Sequence, residues 1–98
     1  MYLKIIKSYR DVVAICDTEL LGKIFEENKF QLNIKESFYK GDKVTKEKAT
    51  EILKKMAAED ATFNIVGPKS IQTAIETGII DKKTIGKIAN IPFALVLA

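Results

Sequence analysis

Hydrophobic and polar positions alternate along this chain in two rhythms. Tyr2 to Ser8 has the composition of a strand, and Val12 to Cys16 is an unbroken apolar run. Tyr9 and Arg10 between them fit a tight turn, which predicts a hairpin whose second strand is central and buried on both faces. Asp17 to Gly22 reads as a turn or a single helical turn. Phe30, Leu32 and Ile34 alternate with Gln31, Asn33 and Lys35, the period of a strand with one buried face. With Lys23 to Phe25 this predicts a second hairpin around Glu26-Glu27-Asn28-Lys29. Ser37 to Asp42 (SFYKGD) reads as a loop around Gly41.

The rhythm then changes. Ala49, Ile52, Leu53, Met56 and Ala57 recur at helical spacing and form one apolar stripe, predicting a helix from Lys46 to about Glu59 with Thr45 as its N-cap. Thr62 to Val66 is a short apolar strand. Gly67 and Pro68 then suit the N-cap and first position of a second helix, whose stripe is Ile71, Ala74 and Ile75 and whose left-handed stop is Gly78. Asp81 to Thr84 turns the chain. Ile85 to Ala89 and Phe93 to Leu97 read as two last strands separated by Asn90-Ile91-Pro92. Strands outnumber helices and both helices are one-sided. The expected fold is therefore α+β: a two-layer sandwich, with a mixed, mostly antiparallel sheet and two helices packed on one face. The apolar run from Phe93 to Ala98 predicts a well-covered strand or the edge of a homodimer sheet.

At 98 residues the chain is the size of one domain, residues 1–98, and 47% apolar content is far from the composition of disorder. No apolar run approaches the roughly 20 residues that span a bilayer, so no membrane partner is expected. Lys4 and Lys7 interrupt the first apolar stretch, unlike a signal peptide. Cys16, the single cysteine, has no partner for an internal disulfide. A cytoplasmic location is the expectation.

Histidine is absent, which removes the commonest general base, the commonest zinc ligand and every Ser-His or Cys-His device. Cys16 ends an apolar strand, where free thiols are inert. Glu26-Glu27 and Glu59-Asp60 are sequence neighbours, and in extended chain such neighbours point to opposite faces. No catalytic residue, metal ligand or cofactor is expected.

Net charge is +3, and fifteen of the sixteen basic residues are lysine, Arg10 being the exception. Lysine is a point charge that tracks a phosphate backbone, while base edges are read by the planar fork of arginine. Lysine richness has a second explanation in genome composition or growth at high temperature. The segment from Lys35 to Lys48 sets Phe38 and Tyr39 among five lysines, a pattern suited to stacking a base while phosphates are neutralised. The competing structural role has Phe38 plug the core under the loop, with the other ring exposed and the lysines simply solvated. The RNA-contacting set expected from the sequence is Tyr39, Lys40, Lys43, Lys46 and Lys69. A separate anion site is expected at Gly67, Lys69 and Ser70, where a helix N-terminus offers free N–H groups. Pro68 removes one of those donors, and most strand-to-helix corners are only connections.

The segments YLKIIKSYRDVVAICD, ELLGKIFEENKFQLNIKESFYKGD, DATFNIVGPKSIQTAIETGII and IPFALVLA, in this order, resemble the small archaeal proteins grouped as domain of unknown function family 424. The resemblance spans nearly the whole chain and contains no chemical motif. It implies an archaeal cytoplasmic protein with a two-layer α/β fold, uncharacterised and without established catalytic residues, and it suggests association with translation. Three functions follow in order: a non-catalytic binding module contacting RNA or the ribosome, a phosphate-binding domain or enzyme using the Gly67 corner, and a homodimeric protein-interaction subunit.

Overall fold

In the computed structural model, which describes residues 1–97, the chain forms a mixed sheet with helices on one face. Ala98, the last residue of the terminal apolar run, lies outside them. β1 (Tyr2–Ile6) and β2 (Val12–Cys16) form the expected antiparallel hairpin, with Leu3 opposite Ile15. β2 is central as expected. Val13, Ala14, Ile15 and Cys16 are fully buried because one set of side chains enters each face of the sheet. Thr18–Leu20 make a single 3-10 turn. β3 (Ile24–Glu27) and β4 (Phe30–Asn33) pair as a hairpin that stands apart as its own two-stranded sheet.

The stretch read as a loop is more ordered than its composition suggested. It contains one helical turn, α1 (Glu36–Tyr39), and a two-residue strand, β5 (Asp42–Lys43), that joins the free edge of β1. Then come α2 (Lys46–Ala58), β6 (Thr62–Val66) and α3 (Pro68–Thr77), close to expectation. Gly78 ends α3 at φ 85°, and its N–H donates to the carbonyls of Ala74 and Ile75.

The last hairpin differs from the sequence reading. β7 is Gly86–Ile88 and β8 is Ile91–Val96, joined by a two-residue turn at Ala89 and Asn90. Both turn residues have positive φ, as a hairpin turn matched to strand twist requires. Pro92 therefore lies inside a strand. It is tolerated there because β6 has ended alongside it: the Pro92 carbonyl accepts from Gly67 N at 2.9 Å, at the corner where β6 gives way to α3.

The main sheet runs β5-β1-β2-β6-β8-β7, with every neighbour antiparallel except β2 and β6. α2 and α3 bury Ala49, Leu53, Met56, Ile71 and Ala74 against Leu3, Val13, Ile15, Phe63 and Ile65. The opposite face is also covered at one end. There α1, the 3-10 turn and the separate hairpin set Tyr39, Leu20 and Ile34 over Ala14, Cys16 and Val66. β8, expected as a covered strand or a dimer edge, is covered along only part of its length. β6 pairs with it over Phe93–Val96 and β7 over Ile91–Phe93, and Leu95 and Leu97 stay exposed. No helix among the described residues is long and apolar enough to cross a membrane.

Candidate functional site

The two strands that run parallel, β2 and β6, end level with each other, Cys16 beside Val66. The residues that follow them, Asp17 and Gly67, are therefore neighbours. Asp17 N donates to Val66 O at 3.1 Å, and the Asp17 carboxylate turns onto the first turn of α3. Its Oδ2 accepts from Lys69 N at 3.0 Å, and its Oδ1 accepts from Ser70 N and Ser70 Oγ, each at 2.8 Å. Asp17 and Ser70 are both buried.

This corrects the expectation of a vacant anion site at Gly67, Lys69 and Ser70. The helix N-terminus does hold an anion, as its dipole and unpaired donors favour. That anion is a side chain of the same protein. A phosphate arriving at this corner would have to displace Asp17 from three hydrogen bonds. Gly67 is at φ 106°, and a Cβ on it would come within 2.5 Å of the Asp17 carboxyl carbon. Glycine is thus required both for its backbone conformation and for the room that the carboxylate occupies. Asp17 was missed by sequence reading because it lies 52 residues before Lys69. The one signal available was an acidic residue directly after the most apolar strand.

Tyr39 is likewise corrected. Of the two rings in the SFYKGD segment it is the buried one, 7% exposed, while Phe38 is half-buried and meets it edge-on at 5.0 Å between ring centres. Burial pushes the Tyr39 phenol up to about 12, and burial with the nearby Asp17 charge pushes the Cys16 thiol up to about 11. Neither group is placed to stack on a base or to act as a nucleophile at neutral pH.

The lysines fare differently. β5 pairs Lys43 with Tyr2, and Val44 N donates to Met1 O at 2.8 Å, so the start of the chain lies against the segment that leads into α2. α3 packs beside α2, and between them opens a cleft of about 510 Å³. Met1, Val44 and Pro68 make its walls, with Thr73 buried beneath them. Lys46, Lys69, Thr45 and Gln72 complete the lining. Two of the expected lysines thus meet, since Lys46 and Lys69 both line the cleft, while Lys43, paired with Tyr2, alternates with Val44 and belongs to the other face of the sheet. Lys40 is exposed at the end of α1, three residues before Lys43.

Two of these cations have acidic partners. Lys46 Nζ lies 2.8 Å from Glu76 Oε1, and Lys69 Nζ lies 3.8 Å from Glu19 Oε2. Hydrogen bonds from Lys46 and then Gln72 hold the Glu76 carboxyl below its ordinary range. Both pairs are exposed, so each adds little to stability and exchanges partners readily. Lys40 and Lys43 form no ion pair among the described residues. No group of three or more Cys, Asp or Glu side chains gathers there as a metal centre would need.

A family model described as protein of unknown function (DUF424) matches residues 6–98. The chain belongs to this family. Its fold is shared with an uncharacterized conserved protein from Methanopyrus kandleri, an archaeon, whose crystal structure superimposes with a TM-score of 0.86. The two sequences are 22% identical, and the match covers 99% of this chain and 92% of the other. At that identity the likeness establishes the architecture alone. No curated protein matches the chain.

Proposed function

We propose that this DUF424 protein is a non-catalytic binding module that contacts RNA or a ribonucleoprotein through the lysine-bearing cleft between α2 and α3. The observation that carries the reading is convergence. Lys46 from the start of α2 and Lys69 from the start of α3 line one opening, although they are far apart in sequence. Lysines so placed neutralise consecutive phosphates without reading bases, and only weak, exposed ion pairs compete with that role. The burial of Tyr39 leaves the contact to phosphate charge rather than to aromatic stacking. A place in the cytoplasmic translation machinery belongs to the same reading and rests on the family resemblance.

Sedimentation of the native protein from cell extract, at low and moderate salt, tests it first. Co-migration with ribosomal subunits that is lost on adding salt or nuclease is the expected result. With purified RNA, log affinity should fall by about 0.7 per log unit of salt for each phosphate neutralised on a single strand. Lys46→Glu and Lys69→Glu should each weaken binding. Salt-independent binding, or binding unchanged in the double variant, overturns the reading.

A homodimer is the second reading, favoured by Leu95 and Leu97, which are 56% and 73% exposed where β8 runs past the end of β7. Such an open apolar edge is a template for strand addition. Light scattering decides it: a monomer at high concentration rules it out.

A further inference from the structure

The cleft between α2 and α3 is more than a row of charges, since its walls are apolar. Met1, Val44 and Pro68 line it, and its volume of about 510 Å³ is within the range of small-ligand sites. A surface that only tracks phosphates has no use for such a slot. We infer that the slot receives one unpaired nucleobase of a single RNA strand, while Lys46 and Lys69 hold the flanking phosphates. This rests on the RNA-contact reading above and names the kind of RNA.

Three features of the cleft favour that occupant. Its lining joins hydrocarbon from Met1, Val44 and Pro68 to the cations Lys46 and Lys69, a combination that suits the base and the phosphates of a nucleotide. Lys46 begins α2 and Lys69 is the second residue of α3, so the charges stand on both sides of the slot, as a strand passing over it requires. Two polar groups in the lining remain able to meet a base edge. Gln72 Nε2 donates to Glu76 at 3.0 Å, which leaves its amide oxygen to accept. Thr45 Oγ1 accepts from Lys48 N at 3.2 Å, which leaves its hydroxyl proton to donate. A duplex keeps its bases stacked inside and presents phosphates only, so it engages the lysines and leaves the slot unused.

Fluorescence anisotropy at one salt concentration separates these roles. The probes are a short single-stranded oligouridylate, the same strand annealed to its complement, and an abasic ribose-phosphate strand of equal length. The single strand should bind about tenfold tighter than either of the others, the scale of one base sequestered from solvent. Gln72→Trp puts a ring into the cleft from an exposed position on α3. It should erase that advantage by lowering single-strand affinity far more than duplex or abasic affinity, which can change only through the Glu76 carboxylate that Gln72 shares with Lys46. Its melting temperature verifies that it folds, and Lys87→Glu on distant β7 should alter nothing.

Equal affinity for all three probes, with charge reversal at Lys46 and Lys69 still weakening each, overturns base insertion and leaves the phosphate reading standing. If no RNA binds, the RNA reading falls and the slot is judged with uridine monophosphate alone. Shifts of the Met1 and Val44 methyl resonances that vanish in Gln72→Trp support a base site, and unshifted methyls overturn it.

Discussion

The two long helices of this protein begin in different ways. α2 starts at the surface, and its cap comes from the adjoining residue: Thr45 Oγ1 accepts from Lys48 N three positions on. α3 starts half in the interior, with Gly67 and Ser70 buried and Pro68 and Lys69 exposed. Its cap comes from the end of another strand: the Asp17 carboxylate accepts from Lys69 N, Ser70 N and Ser70 Oγ. Both arrangements satisfy N–H groups that a helix leaves unpaired. One uses a local hydroxyl in contact with water. The other uses a remote charge buried to 1% exposure, and it fastens the crossover between β2 and β6. The N–H groups at the α2 start are capped in water, while those at the α3 start are committed to Asp17. A ligand in the cleft therefore meets the side chains of α3 and not its N–H groups.

The sharpest way to break that contrast is Gly67→Ala. The new methyl would be held at φ 106° and pressed against the Asp17 carboxylate. Backbone strain of about 1–3 kcal/mol adds to the disturbance of a buried charged hydrogen bond worth about 1.5–3 kcal/mol. Loss of about 3–4 kcal/mol follows, and thermal melting should drop by more than about 12 °C for a domain of this size. A drop of only a few degrees would mean that the corner relaxes and Asp17 is not fixed.

Asp17→Ala comes next, at about 2–3 kcal/mol, since it strands two backbone donors and a hydroxyl in a buried corner. Asp17→Asn, which keeps one accepting oxygen and loses the charge, should recover part of that loss. The alanine variant should also be stabilised by added sulfate more than the wild type is, because the corner then has a vacancy for an anion. Equal sulfate response in both proteins would show that no donors are exposed by the change. Thr45→Ala should cost about 1 kcal/mol by chemical denaturation, the ordinary value for an exposed cap. If Thr45→Ala proves as damaging as Asp17→Ala, the contrast between the two helix starts dissolves.

The same contrast explains which features could be read from the sequence. Thr45, the stripe from Ala49 to Ala57, the Gly67-Pro68 corner and the Gly78 stop were all legible, because each depends on residues within a few positions. Asp17 was not. Its role appears only when β2 and β6 pair in parallel and bring their ends together. The meeting of Lys46 and Lys69 was hidden for a similar reason, since the cleft they line also needs Met1 and Val44, which are joined only when β5 pairs with β1 on the sheet edge. Phe38 and Tyr39 were recognised as one inward and one outward ring, but which was which depends on the single helical turn of α1. At the last hairpin, Pro92 was read as a strand breaker. The turn lies instead at Ala89 and Asn90, neither of which carries the glycine that marks such turns.

The smallest effect concerns the pair that ties the two helices across the cleft. Lys46 Nζ reaches Glu76 from the first residue of α2, and Gln72 supports it from the preceding turn of α3. Those hydrogen bonds lower the Glu76 pKa from 4.5 in the folded protein. The stability they contribute is therefore present above the ordinary carboxylate range and is lost as pH falls through the lowered value. Carboxylate carbon shifts should place the Glu76 midpoint below 4.5 in the wild type and return it upward in Lys46→Met. Melting at neutral pH should hardly move, because both side chains are exposed. A titration that shifts while stability does not is what a cation free to exchange its carboxylate for a phosphate requires. If Lys46→Met instead lowers melting as much as Thr45→Ala does, the pair is a structural tie and Lys46 is not available to a ligand.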